Sequence, residues 1–225
     1  MRHKLDTKGL PLKKKWENFW YYYKWHTIAL IFVIILAGYT IRDAVTKVNY
    51  DFNIDIIGSA ALPFESTDKI SQALEKSGAV ADNYSDGKIN VLTGLISVPA
   101  KGETTDGTQE QVAQVKLAVG ESVVIITDER YMKGFSDSGV YGDITSVADK
   151  AQIPQDKRYL SPDGKVMGVK LDGCKFFADM GLNTDGLYIT KRIANKDAKK
   201  DEQKMKEYNN ADFVIEYILG DTNDK

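Results

Sequence analysis

The acidic residues that follow predicted strands are the side chains of this sequence whose types and spacing best suit chemistry. Asp128 and Glu129 follow the apolar run at 122–127, and Asp143 lies a short way downstream. Carboxylate pairs act as general acid and base in hydrolysis, so a hydrolase that uses these three residues is one hypothesis. The structural alternative is that Asp128 caps the N-terminus of a helix. We favour the cap, because nothing else in the sequence selects a hydrolase.

Several catalytic classes are excluded after residue 41, because the residue types that they need are missing there. Both histidines, His3 and His26, come earlier, and Cys174 is the only cysteine. A Ser-His-Asp or Cys-His catalytic site and a histidine-ligated zinc site therefore cannot form in this region. The sequence also has no GxxxxGK[ST] loop and no GxGxxG turn after a strand. We expect no enzyme activity and no cofactor.

One stretch partly matches a calcium-binding loop. Residues 82–87 read DNYSDG, but Tyr84 stands where such a loop needs Asp or Asn. Thr93 stands where the loop needs a bidentate glutamate. A turn into the following strand explains the same residues, and we predict no metal site.

The loops after two predicted strands form the candidate ligand site. In open α/β sheets, ligands bind outside the carboxyl ends of the strands. The loop at 58–64 follows the first predicted strand, and the segment at 127–131 follows the third. A shallow site for a small solute would use seven residues of these two segments: Gly58, Ser59, Phe64, Thr127, Asp128, Glu129 and Tyr131.

Strand and helix patterns alternate along the region that carries this site. Apolar runs or alternation predict strands at 51–58, 88–98, 122–127, 165–171 and 187–192. Helical spacing predicts helices at 66–77, 108–119 and 201–219, and a helical turn from Asp128. The last helix is expected to be interrupted near Asn209 and Asn210. This order predicts an α/β fold with a mainly parallel sheet and flanking helices.

An apolar run near the N-terminus predicts one transmembrane helix. Residues 25–41 read WHTIALIFVIILAGYTI and, with the aromatic residues before them, reach the roughly 20 residues that cross a bilayer. The lysines at 13–15 predict that the N-terminus is cytoplasmic and the C-terminal part extracytoplasmic. A cleavable signal peptide is one alternative, but the run ends in ILAGYTI, a weak fit to a cleavage site. A buried core helix is the other, but a helix that is apolar all round is hard to bury in so small a domain.

The sequence therefore divides into four predicted parts. Residues 1–24 form a basic cytoplasmic tail with an aromatic segment, which we expect to be an amphipathic helix on the inner leaflet. Residues 25–41 form the anchor, 42–50 a short tether and 51–225 the extracytoplasmic domain.

Charge separates the tail from the domain. Up to residue 41 the chain has seven basic and two acidic residues, which leaves 23 basic and 30 acidic residues of the totals of 30 and 32. The part after residue 41 thus carries −7. Nucleic-acid affinity rests on neutralising phosphates, so nucleic acid is not an expected partner of this acidic domain.

Three segments of the domain resemble type II extracytoplasmic solute-binding proteins. AVGESVVIITD at 118–128 resembles that family's AGEvDVvi stretch, and GVYGDIT at 139–145 resembles its G-x-x-x-D-L-T segment. PDGKVMGVKLDG at 162–173 resembles its return strand, DGKxYGxP. The resemblance runs from about residue 51 to about residue 219. Proteins of that family have two lobes, but few residues separate 173 from the strand at 187, so we expect a single lobe here. The anchored architecture also resembles uncharacterised membrane proteins of Gram-positive bacteria with an NFWYYYKWH lead-in.

These observations favour a non-enzymatic binding or docking module, tethered to the membrane and engaging a neighbouring membrane or envelope protein. The second hypothesis is a receptor that holds a small solute in the shallow open site. The hydrolase is the third and least favoured. A receptor needs convergent polar groups in a concave pocket, whereas a docking module needs an exposed apolar patch.

Overall fold

The computed structural model describes residues 11–59, 62–99 and 107–220. The chain divides into two compact units, Met1–Val48 and Asn49–Lys225. We describe each unit by itself.

In its described residues the first unit is one long helix, α1 (Leu12–Thr46, 35 residues). Its segment Phe19–Asp43 is long and apolar enough to cross a membrane. By length and composition, it suits a membrane anchor or a signal sequence. The helix is continuous, so the predicted aromatic helix and the predicted anchor are one element, which also extends into the predicted tether. Residues 1–10 of the predicted basic tail lie outside the described residues.

The second unit is an α/β domain. Its strands are β1 (Phe52–Gly58), β2 (Val91–Ser97), β3 (Val124–Asp128), β4 (Arg158–Leu160), β5 (Val166–Lys170) and β6 (Leu187–Lys191). Its helices are α2 (Ser66–Ser77), α3 (Thr108–Val119), α4 (Glu129–Phe135), α5 (Thr145–Lys150), α6 (Lys175–Ala178) and α7 (Glu202–Gly220). The predicted α/β class is confirmed.

The six strands form one open sheet in the order β2-β1-β3-β6-β5-β4. β1 is parallel to both β2 and β3, whereas β3–β6, β6–β5 and β5–β4 are antiparallel pairs. The sheet is therefore mixed, whereas the sequence predicted a mainly parallel one. Between β5 and β6 the helix α6 has only four residues. At 1.5 Å per residue it spans roughly 6 Å, too little to carry the chain back along a strand for a parallel crossover.

Apolar side chains fill both sides of the sheet. One cluster joins Ile54 and Ile56 of β1 to Ile70 of α2 and Ile215 of α7. The other joins Ile57 of β1 to residues of α3 and α4. Successive side chains of a strand point to opposite faces, so β1 contributes to both clusters.

Helix α7 is continuous from Glu202 to Gly220, so the predicted interruption near Asn209 and Asn210 is wrong. The Asn210 side chain donates to the Ala79 carbonyl (3.0 Å) and accepts from the Ala81 backbone N–H (3.0 Å). It therefore holds the loop after α2 and leaves the backbone hydrogen bonds of its own helix undisturbed.

Candidate functional site

The carboxyl ends of β1 and β3 lie side by side, with Ile57 opposite Thr127. This register brings Gly58 and Ser59 next to the segment 127–131, as the sequence predicted. Residues 60 and 61 of the predicted loop lie outside the described residues.

Asp128 connects the two strand ends. One carboxylate oxygen, Oδ2, accepts hydrogen bonds from the Ser59 backbone N–H (2.8 Å) and hydroxyl (3.0 Å). The other, Oδ1, accepts from the Tyr131 backbone N–H (3.1 Å), so Asp128 is the N-cap of α4. The capping role that we favoured from sequence is confirmed, and both oxygens of this buried carboxylate already have partners within the chain.

Gly58 and Thr127 also help to join the ends of β1 and β3. The Thr127 hydroxyl is fully buried and donates to the Ile57 carbonyl (2.7 Å). A Cβ at position 58 would lie only 3.0 Å from Asp128 Oδ2, so a glycine allows the close approach of the two strand ends. These contacts hold the carboxyl ends of β1 and β3 together and leave little room there for a ligand.

Tyr131, in the first turn of α4, is buried. Its phenol accepts a hydrogen bond from the Arg130 guanidinium (2.8 Å), which also lies 4.6 Å from the centre of the ring. Tyr141 donates its hydroxyl to the Tyr131 carbonyl (3.1 Å). Burial raises the pKa of both phenols, so both remain neutral.

The other predicted residues are exposed. Phe64 is 77% exposed, and Ser59 is exposed although its hydroxyl bonds to Asp128. Glu129 forms an ion pair with Lys133 (2.7 Å), and that hydrogen bond lowers the pKa of its carboxyl group. Some of the predicted residues thus lie close together. Most of their polar atoms, however, are hydrogen-bonded to one another or to the backbone.

The remaining acidic candidates also have structural partners. Asp143 accepts from the Thr145 backbone N–H (2.9 Å), and hydrogen bonds from Thr145 lower the pKa of its carboxyl group. Asp82 accepts from the Gly87 backbone N–H (2.9 Å), which closes the turn expected at 82–87. Within the described ranges, no group of three or more His, Cys, Asp and Glu side chains is placed to hold a metal ion.

A second surface, on α3, was not identified from the sequence. Val112, Val115 and Val119 are 47%, 60% and 72% exposed, whereas Ala113 and Leu117 are fully buried. At 100° per residue the three valines share one side of the helix and the two buried residues share another. The signal was therefore present in the sequence as two apolar stripes on one helix.

The outward side of α3 is uncharged. Its exposed residues are Thr108, Gln109, Gln111, Val112, Gln114, Val115, Ala118 and Val119. The two charged residues of the helix lie at its flanks and have partners. Glu110 lies 3.9 Å from Arg130, and Lys116 lies 3.4 Å from the buried carboxylate of Asp55.

Strand β2 borders the sheet beside α3, and its sequence VLTGLIS has no charged residue. In the described part of the chain, its ladder is with β1 alone. At its outer edge the Val91 backbone N–H donates to the Glu75 side chain of α2 (3.0 Å). Leu92 is 44% exposed. Side chains alternate along a strand, so Leu92 is on the same face as Ile96, which packs in the α3 cluster.

An open groove with a volume of about 540 Å³ runs along α3. It is lined by Thr108, Gln111, Val112, Val115, Lys116, Val119, Gly120 and Glu121, so a charged residue lies at each side of the valines. We call the outward side of α3 together with the edge strand β2 the α3–β2 surface.

Arg192 fixes α3 on the domain. Its buried guanidinium donates to the carbonyls of Lys116 (2.9 Å), Leu117 and Ser122 (2.9 Å), and burial lowers its pKa. Lys116 and Leu117 lie in the last turn of α3, where carbonyls run out of helical partners; the Lys116 carbonyl also accepts from the Gly120 backbone N–H (2.8 Å). This long-range cap fixes the end of α3 on the domain. The outward side of α3 is therefore held in one position.

No family model matches this sequence, and neither a curated protein nor a solved structure shows significant similarity to it. The comparisons give no link to solute-binding proteins, so that resemblance rests on the three sequence segments alone.

Proposed function

We propose that this protein is a non-enzymatic docking module, tethered to the membrane by α1, whose domain engages a membrane or envelope protein outside the cell. The observation that carries the proposal is the outward side of α3, whose exposed residues are uncharged and include three valines, beside the edge strand β2, whose own residues are uncharged. Charged residues are depleted in the centres of protein interfaces, whereas they cover ordinary solvated helix faces.

The receptor hypothesis has less support from the geometry. A solute site needs polar groups that converge on the ligand. At the carboxyl ends of β1 and β3, the carboxylate of Asp128 and the hydroxyl of Thr127 are bonded within the chain. A ligand would have to displace these bonds, which also cap α4. The docking hypothesis therefore explains more of the observed surface features than the receptor or the hydrolase hypothesis does.

The lysines at 13–15 support the proposed orientation, with the N-terminus in the cytoplasm and the domain outside. In this arrangement the domain is a lobe that resembles half of a solute-binding protein and works as a contact surface. The anchor keeps it at the bilayer, where its partner is another protein of the membrane or the envelope.

Site-specific photo-crosslinking in the cells that naturally make the protein tests the proposal. A benzoylphenylalanine replaces Val115 in one variant of the full chain and Gln72 in the other. Gln72 is the matched control, because it is also exposed in the middle of a helix, α2. We expect a discrete protein adduct from position 115 and none from position 72.

Absence of an adduct at position 115 would contradict the proposal. Equal adducts at both positions would also contradict it, because they would mean that the α3–β2 surface has no special role. Proteolysis of intact cells gives the orientation, since a domain outside the cell is digested and a cytoplasmic one is protected.

A further inference from the structure

We infer that the N-terminal part of α1, residues 12–24, binds the head groups of anionic phospholipids. This inference rests on the membrane anchoring in the proposed function and names a lipid class for it. It does not depend on the α3–β2 surface. Three features of the helix support it: its excess length, its aromatic side chains and its lysines.

Helix α1 is longer than the hydrocarbon core of a bilayer. Its 35 residues span roughly 52 Å, and the core is about 30 Å thick. Residues 25–41 contain no Asp, Glu, Lys or Arg, and Arg42 follows them. A core segment of about 20 residues that ends at Ile41 begins near Tyr22. The first part of the helix, residues 12–21, therefore lies beyond the core on the N-terminal side.

The aromatic side chains of α1 are concentrated where the helix leaves the core. Seven of the ten residues at 16–25 are aromatic, and all seven are exposed. The ring of Trp16 lies 5.8 Å from that of Phe19 and 6.5 Å from that of Trp20, and Phe19 lies 5.4 Å from Tyr23. Tryptophan and tyrosine prefer the head-group level of a bilayer, because their rings are apolar and carry a polar N–H or O–H group. This segment therefore suits a lipid interface better than open water.

The lysines of this segment surround the helix. Lys13, Lys14 and Lys15 are exposed and, at 100° per residue, point to three different sides. Among the residues that the structure describes, none of these three lysines has an ion-pair partner. With Lys24 added and Glu17 subtracted, the segment carries +3. A protein partner would contact one side of the helix, whereas lipids surround it, so charge on several sides fits lipids.

Anionic head groups complement this charge better than zwitterionic ones do. Positive side chains in the first turn of a helix oppose its dipole, so helix stability does not explain the three lysines. Lys14 lies roughly 12 Å beyond a core that begins near Tyr22, and the head groups extend roughly 5–7 Å from the core. The lysines are therefore within a Debye length, about 8 Å, of the head-group surface. Each lysine near an anionic surface strengthens binding roughly fivefold.

Quenching of tryptophan fluorescence by brominated lipids tests this inference. All three tryptophans of the chain, Trp16, Trp20 and Trp25, lie in or beside the segment and report on its lipids without a label. The full chain is reconstituted in equimolar phosphatidylcholine and phosphatidylglycerol, and one of the two lipids is brominated near the head-group end of its acyl chains. We expect brominated phosphatidylglycerol to quench more strongly than brominated phosphatidylcholine, by up to roughly fivefold, the gain for one lysine. High salt should reduce the difference.

Removing the three lysines shows whether they cause the preference. The combined variant Lys13→Gln, Lys14→Gln and Lys15→Gln should lose most of the difference between the two brominated lipids. Both leaflets contain the same lipids, so a change of orientation in the vesicle does not affect the result.

A matched control removes the same charge from the second unit. It combines Lys196→Gln, Lys199→Gln and Lys200→Gln, which replace three exposed lysines. The control should keep the full difference. Circular dichroism should show the same helix content in all three proteins.

Equal quenching of the unchanged chain by both lipids would overturn the inference and leave the anchor intact. A difference that survives without Lys13, Lys14 and Lys15, or one that the control also loses, would overturn it as well. If neither lipid quenches, α1 does not enter the bilayer, and the anchoring in the proposed function fails together with this inference. The photo-crosslink at position 115 tests the docking function separately, because it concerns the other unit.

Discussion

Helices α2 and α3 have the same length, and their outward sides are opposite in character. Each has 12 residues and packs buried aliphatic side chains against the sheet, Ile70 and Leu74 in α2 and Leu117 in α3. The exposed residues of α2 are Asp68, Lys69, Gln72 and Lys76. Those of α3 are all uncharged and include three valines. Inward packing therefore does not explain the difference.

The difference between the two outward sides indicates which of them is suited to contact another molecule. Apolar burial on the inward side holds a helix to its sheet, and the outward side is free to vary without affecting that packing. In a chain with 28% charged residues, an outward side without charge is a feature that solvent exposure alone does not favour.

The largest expected effect is the loss of inward packing. Leu74→Ala in α2 and Leu117→Ala in α3 should each lower the free energy of unfolding by about 2–5 kcal/mol, because both leucines are fully buried. Urea unfolding of residues 49–225, followed by circular dichroism, measures both changes. A loss below about 1 kcal/mol for Leu117→Ala would mean that α3 is poorly packed, and the comparison would then fail.

The next effect concerns how the two helices end. α2 ends at Gly78, whose φ of +72° is a local stop, whereas α3 ends under Arg192, far away in the sequence. Arg192→Met should cost about 2–4 kcal/mol, because it removes the buried donors that the carbonyls of Lys116, Leu117 and Ser122 share. Gly78→Ala should cost about 1 kcal/mol, because alanine disfavours a positive φ.

The same urea titrations measure this pair of variants. Arg192→Lys is the matched control for charge, since lysine retains the positive charge but lacks the planar set of donors that reaches several carbonyls. We expect it to recover only part of the stability. Full recovery by lysine would show that charge, and not the three-carbonyl cap, holds the end of α3.

Most of the domain's framework was predictable from local patterns. The bounds of α2 and α3 coincide with the predicted ranges, and β1, β2, β3, β5 and β6 lie within or within one residue of their predicted segments. Long elements repeat their apolar spacing often enough to be recognised. The short elements β4, α5 and α6 were not predicted, because three to six residues do not establish a period.

The candidate sites show what local patterns leave open. The adjacency of Gly58 and Thr127 followed from the rule for strand ends, and the capping role of Asp128 followed from the preference of aspartate for the N-cap. The bond from Ser59 to Asp128 joins residues 69 apart in the chain, so spacing could not predict it. On α3 the sequence shows two apolar stripes, but which stripe is buried depends on where the sheet lies. That position is a property of the whole fold.

The smallest expected effect is also the most informative about the outward sides. In the isolated domain at low concentration, Val115→Ala should change stability by less than about 0.5 kcal/mol. Alanine gains about 0.5 kcal/mol in helix propensity, and a side chain that is 60% exposed loses a similar amount of burial. Gln72→Ala, the control on α2, should gain a few tenths of a kcal/mol.

Protein concentration tests whether a second copy contacts α3. If a second copy covers Val115, the unchanged domain gains stability as its concentration rises, since association stabilises the folded state by mass action. Val115→Ala should weaken that gain, so the cost of the substitution increases with concentration. The effect of Gln72→Ala should stay constant, because α2 remains solvated. If the stability lost in Val115→Ala stays constant over a hundredfold range of protein concentration, the outward side of α3 is solvated like that of α2. Its valines would then not form a contact between copies.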